Sequence, residues 1–175
     1  MHRTDSLMHR AISDFKAARE RFELYEKFYL SLSGRAKQYL RNESKRFKGS
    51  LKETQDLILP SVRKICPSCD IQCCKLYTPE LSIYIAGTVG GFDLKDYLLV
   101  RCDQELPDPC YENAEKNLCP FWDVGCILPV DCRSFLCIQF FCDKLQKELN
   151  MELVSESLDR IRDLLNNFSI GNCMA

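Results

Sequence analysis

A chain of 175 residues is long enough for one ordinary domain with its own core, or for one domain with a helical extension. Its 24 basic and 25 acidic residues leave a formal net charge of −1, so global charge singles out neither nucleic acid nor an acidic membrane surface as a partner. The count of 12 cysteines lies far above ordinary usage, while no apolar run approaches the roughly 18 residues of a membrane span, which argues against a transmembrane chain.

The opening residues, Met1-His2-Arg3-Thr4-Asp5, contain no apolar stretch and no small-residue cleavage site. The expected setting is therefore cytoplasmic, where a reducing environment favours metal over disulfides as the use of many cysteines. Residues 1–60 carry 13 Lys and Arg against 8 Asp and Glu, so the first third is the basic part of the chain. Met8, Ala11, Phe15, Ala18, Phe22, Tyr25, Tyr29, Leu32, Ala36 and Tyr39 recur at alternating steps of three and four, the spacing of a helical apolar seam. Asp5 or Ser6 can cap its start, and Ser31, Ser33 and Gly34 predict a junction between two helices near Gly34. Phe22, Tyr25, Tyr29 and Tyr39 are bulky for a two-stranded coiled coil. The seam is expected to pack within the chain, with residues 35–58 folding back as an α-hairpin or lying on the C-terminal helix.

Residues 35–52 hold seven basic residues and one acidic, with Tyr39 and Phe47 interleaved. Such a helix could track a phosphate backbone, although solvated helix faces commonly carry this charge, so nucleic acid is the minor reading. Leu59-Pro60 is expected to end the extension. Thr78-Pro79-Glu80 looks like a helix start that Gly87, Gly90 and Gly91 stop, and Pro107 and Pro109 mark a loop. From Phe135 the pattern is helical, with Ile138, Phe141, Leu145 and Leu149 on one face. Leu158, Ile161, Leu165 and Phe168 form a second such stretch, which Ser155 or Ser157 could cap. The expected fold is mostly α. A long helical arm or hairpin spans 1–60, a loop-rich cysteine core organised by metal spans 61–142, and a C-terminal helical segment over 143–175 packs back.

The chemistry lies in two cysteine clusters. Cys66, Cys69, Cys73 and Cys74 form C-x2-C-x3-C-C, and Cys119, Cys126, Cys132 and Cys137 form a looser distal set. Thiolates about 2.3 Å from a metal must converge on one point, and two cysteines separated by two residues do so in a single turn. Adjacent Cys73 and Cys74 diverge on a helix, so they are expected to serve different metals or different corners of a polynuclear cluster. The two histidines, His2 and His9, lie outside the core, so ligation would be all-sulfur. That argues against magnesium, calcium or a non-haem iron triad, while zinc and iron–sulfur remain equally compatible. Cys102, Cys110 and Cys173 read as bystanders and Cys142 as a reserve ligand.

These residues resemble the YkgJ-type cysteine-cluster family, a zinc- or iron-chelating domain. The resemblance runs through Cys66, Cys69, Cys73 and Cys74, then Thr78 and Glu80, then Cys119-Pro120-Phe121, Gly125-Cys126, Pro129 and Cys132-Arg133, across about residues 62–140. Here no arginine precedes Pro129, and Leu136 stands where the family has proline. The resemblance implies metal binding, most often as an iron–sulfur cluster, and no settled reaction. Flagellin lysine N-methylases carry a related cysteine motif.

Three functional classes follow. The first is a metal-cluster protein, electron-carrying or structural, whose helical arms dock a protein partner, with apolar cover from Phe121, Trp122 and Phe135. The second is a cluster-dependent oxidoreductase or protein-modifying enzyme using Asp70, Asp123, Asp131 or Arg133. The third is an adaptor in which zinc staples the fold and residues 35–52 bind. The first is the leading reading, with an iron–sulfur cluster as cofactor and zinc as the alternative.

Overall fold

The structure is a computed structural model that describes residues 2–66, 93–110, 112, 113, 119, 121, 123, 127–139 and 141–174. These residues build helices α1 (His2–Ser31), α2 (Gly34–Ile65), α3 (Leu94–Arg101), α4 (Phe135–Ile138), α5 (Asp143–Glu148), α6 (Met151–Asn167) and α7 (Gly171–Met174). A 3-10 turn lies at Val130–Cys132. The fold is mostly α, as the periodicity predicts. Of the metal-organised core expected over 61–142, residues 67–92 lie outside the described residues, as does the helix start expected at Thr78-Pro79-Glu80.

The junction near Gly34 forms as the sequence predicts. Ser33 sits in extended backbone and its hydroxyl accepts the Ala36 amide at 3.1 Å, which caps α2 at its start. The seam then meets two separate partners. Phe22 and Tyr25 pack on Tyr97 of α3, with ring centroids 5.2 and 5.6 Å away, whereas Tyr39 stacks on Phe168 at 6.0 Å, just past α6. Of the two expected arrangements, residues 35–58 take the one on the C-terminal helix.

Helix α2 is the axis of the molecule. Ala36, Leu40, Ser44, Phe47, Leu51, Thr54 and Ile58 follow one another at steps of three and four, and all are buried. That stripe meets α3 and the 3-10 turn as well as α6 and α7. A buried Leu or Phe side chain contributes roughly 1.5–3 kcal/mol, so this stripe is a main source of stability. The helix also continues through Pro60 to Ile65, beyond the end expected at Leu59-Pro60. Pro60 is exposed, and so is Asp56, whose carbonyl loses its helical donor and can turn to water.

Helix α3 was not expected from the sequence. Asp93 caps it by accepting the Asp96 amide at 2.8 Å, and Tyr97, Leu98, Leu99 and Val100 are all buried. Four consecutive apolar residues show no helical periodicity because this short helix is covered on every side. The helix expected from Phe135 onward is interrupted. Cys142 is extended and stands at the start of α5, separating it from α4. Helix α6 is capped by Asn150, whose side chain accepts the Leu153 amide, rather than by Ser155 or Ser157. Ser157 is instead buried against α2, where its hydroxyl lies 2.6 Å from that of Thr54. No helix among the described residues is long and apolar enough to cross a membrane.

Candidate metal centre

Four of the eight candidate ligands, Cys66, Cys119, Cys132 and Cys137, are among the described residues. Cys69, Cys73, Cys74 and Cys126 lie outside them, as does Asp70. Cys66 directly follows α2, its amide bonded to the Val62 carbonyl, so the long helix delivers the first cysteine of the proximal cluster. Cys119 is half-buried, and its carbonyl accepts the Asn113 side chain at 2.8 Å. Cys132 closes the 3-10 turn through its amide to the Pro129 carbonyl at 2.9 Å and is fully buried. Cys137 is exposed within α4; Ser134 accepts its amide and donates to its Sγ at 3.1 Å.

Two polar side chains flank the Cys132 sulfur. The Gln104 side-chain amide donates to its sulfur, and Asp131 Oδ1 lies 3.6 Å away as an acceptor for the thiol proton. Burial first, then the neighbouring Asp131 carboxylate, push the Cys132 thiol up to about 12, while Lys48 and Gln104 pull the other way. A thiolate at this depth needs positive charge or N–H donors close to the sulfur to offset its burial.

The donor Gln104 belongs to a turn that the two long helices hold from several directions. The Glu26 carboxylate of α1 accepts from Arg101 Nε at 2.9 Å, from Arg101 Nη2 at 2.8 Å and from the Tyr97 hydroxyl. Burial works against the Glu26 charge, but these bonds outweigh it and hold its carboxyl below the ordinary value. Arg101 also donates to the Gln104 carbonyl at 2.6 Å and lies over the Tyr29 ring. Asp103 has a positive φ of 56°, a conformation that Asp tolerates in tight turns. Its amide donates to the Tyr29 hydroxyl and its carboxylate accepts from Arg41 at 2.7 Å. From α2, the Ser44 hydroxyl donates to the Leu99 carbonyl at 2.5 Å, and Lys48 donates to the Cys102 carbonyl at 3.1 Å and to Gln104 Oε1 at 3.2 Å.

The segment after Cys132 is tied to the same helix. Asp96 of α3 is almost fully buried, and its Oδ2 accepts the Phe135 amide at 2.9 Å. Burial, together with nearby Asp93 and against the Phe135 bond, holds the Asp96 carboxyl well above its usual range. Among the described residues, Asp96 Oδ1 and Arg133 Nε are buried and meet no partner. Among the other polar candidates, Asp123 is exposed and Asp131 half-buried. Cys102 and Cys173 are buried thiols that burial pushes up, and Cys110 is exposed with Glu112 Oε2 3.2 Å from its sulfur. Cys142, the reserve ligand, is half-buried at the start of α5.

Sequence reasoning did not single out Gln104, Lys48 or Asp96. Gln104 lies 28 residues from Cys132 and 56 from Lys48, separations at which no local spacing rule operates. Among the described residues no three His, Cys, Asp or Glu side chains come together as a metal site. No family model, no curated protein and no solved structure matches this chain.

Proposed function

We propose that this chain is a metal-binding protein with an all-cysteine site drawn from Cys66, Cys69, Cys73, Cys74, Cys119, Cys126, Cys132 and Cys137. The observation that carries this reading is the cysteine pattern, C-x2-C-x3-C-C followed by four more cysteines with no histidine in the core. The buried Cys132 sulfur, with a nitrogen donor on one side, fits a metal-bound thiolate and supports it. The resemblance to YkgJ-type cysteine clusters makes an iron–sulfur cluster the favoured occupant, with zinc the alternative. When bound, a cluster supplies one-electron transfer, whereas zinc supplies a structural staple. The chain's own part is to fix the thiolates, screen them from water and offset their charge.

A cytoplasmic setting follows from the same chemistry, since thiols stay reduced there. A protein partner at the helical arms remains part of the proposal. Nucleic acid gains no support, because four of the seven basic residues in 35–52 make contacts within the fold. Lys37 reaches the Leu30 carbonyl, Arg41 pairs with Asp103, Arg46 pairs with Glu43, and Lys48 reaches Cys102 and Gln104.

Single Cys→Ser variants test the assignment through bound metal per chain, with helix content as the folding control. Cys132→Ser, Cys73→Ser and Cys126→Ser are expected to lower it, and Cys173→Ser to leave it unchanged. Equal metal content in all four would sink the assignment.

A further inference from the structure

We propose that Gln104 and Lys48 are positioning residues for the Cys132 thiolate, Gln104 by donating an N–H bond to the sulfur and Lys48 by fixing the amide that donates it. The inference rests on the metal-binding reading above and deepens it by naming what supports one ligand.

The orientation of the Gln104 side chain follows from the chemistry of its neighbours. A lysine ammonium has three donors and no acceptor. Lys48 Nζ lies 3.2 Å from one end of the Gln104 carboxamide, so that end is the oxygen and the NH2 group faces Cys132 Sγ. The backbone of Gln104 is fixed as well, since its amide bonds the Arg101 carbonyl at 3.0 Å and its carbonyl accepts from Arg101 Nη1. Arg101 is in turn held by Glu26. Donor and acceptor therefore both sit on structure that other contacts already determine.

A neutral thiol is a weak acceptor, and a thiolate a strong one. A partly buried amide aimed at sulfur, backed by a cation, is the arrangement a thiolate uses. As a thiol, Cys132 also donates toward Asp131 Oδ1. On a metal-bound sulfur the Gln104 N–H would be a polar contact that offsets its charge. Contacts of this kind around metal ligands typically alter affinity by about 10- to 100-fold.

The test uses the full-length protein, reduced and loaded anaerobically with zinc as a probe of the thiolates, and follows zinc release to a chromogenic chelator. Gln104→Met keeps side-chain length and removes the N–H. It is expected to release zinc about 10-fold faster or more. Lys48→Met should act in the same direction, and Lys48→Arg should restore the slower rate. In a Cys132→Ser background, Gln104→Met should add nothing, because the sulfur it serves is gone. Loaded with cobalt(II), Gln104→Met should move the thiolate-to-metal band to longer wavelength, a shift that a purely structural role would not produce. If Gln104→Met loses helix content, Gln104→Glu takes its place, keeping an oxygen toward Lys48 without the donor. Wild-type release rates in the Gln104 variants, alongside faster release in Cys132→Ser, overturn the positioning role and leave the metal site standing. An equal effect of Gln104→Met with and without Cys132 also overturns it. Wild-type protein that takes up no zinc overturns the metal reading, and this inference with it.

Discussion

Glu26 joins α1 to α3 through one carboxylate. It accepts two bonds from Arg101 and one from Tyr97, and all three side chains are at least partly buried. Charged hydrogen bonds of this kind contribute roughly 1.5–3 kcal/mol each, and removing one partner strands the others. Glu26→Ala is expected to destabilise the protein by about 2 kcal/mol or more in urea titrations at neutral pH. Because folding lowers the Glu26 carboxyl from its ordinary 4.5, its contribution is present above that pH and fades as pH falls through the folded value. The gap between wild type and Glu26→Gln should therefore narrow in acid, and a gap independent of pH would contradict the assignment. Asp96 behaves oppositely. Its carboxyl is raised by burial, so the fold favours the protonated form and loses stability as pH climbs above 3.8. Asp96→Asn keeps an oxygen for the Phe135 amide without the charge. Its stability relative to wild type should rise between pH 4 and 7, as chemical denaturation at several pH values would read.

At the scale of elements, α2 is held to α6 in part by a buried hydroxyl pair. Thr54 Oγ1 lies 2.6 Å from Ser157 Oγ and 2.9 Å from the Ser50 carbonyl, and both side chains are buried. Removing one hydroxyl leaves the other without its partner, so Thr54→Val and Ser157→Ala are each expected to cost about 1–2 kcal/mol. The double variant should cost less than their sum, and strict additivity in denaturant midpoints would count against the pair. Helix α3 gives a larger expectation. Leu98 is fully buried, and Leu98→Ala should destabilise by roughly 2–5 kcal/mol. The long helices were legible in the sequence because one face of each is wet, which leaves the three-and-four stripe from Phe22 to Tyr39 in plain view. Helix α3 was not, since burial on every side erases that stripe. The true cap of α6 was hidden by serines at equally plausible positions, one of which, Ser157, was taken for packing against Thr54.

Across the whole molecule, the described helices form a frame, and Cys66 and Cys132 among the candidate ligands sit at the ends of its elements. Helix α2 leads to Cys66, α3 ends in the turn that presents Gln104, and the 3-10 turn seats Cys132 against both. The candidate ligands were legible because cysteine spacing is local chemistry. Their supports were not, because Lys48, Gln104 and Cys132 meet only through the fold. In the proposed function these thiols hold a metal. Iron, acid-labile sulfide, zinc and the absorption spectrum, all measured on one anaerobic preparation of the full-length protein, test it most directly. Iron and sulfide are expected in whole-number ratio to the chain, with broad absorption at about 400 nm. Colourless protein with stoichiometric zinc would overturn the electron-carrying form and keep the thiolate site, and protein holding neither metal under these conditions would rule out the metal site.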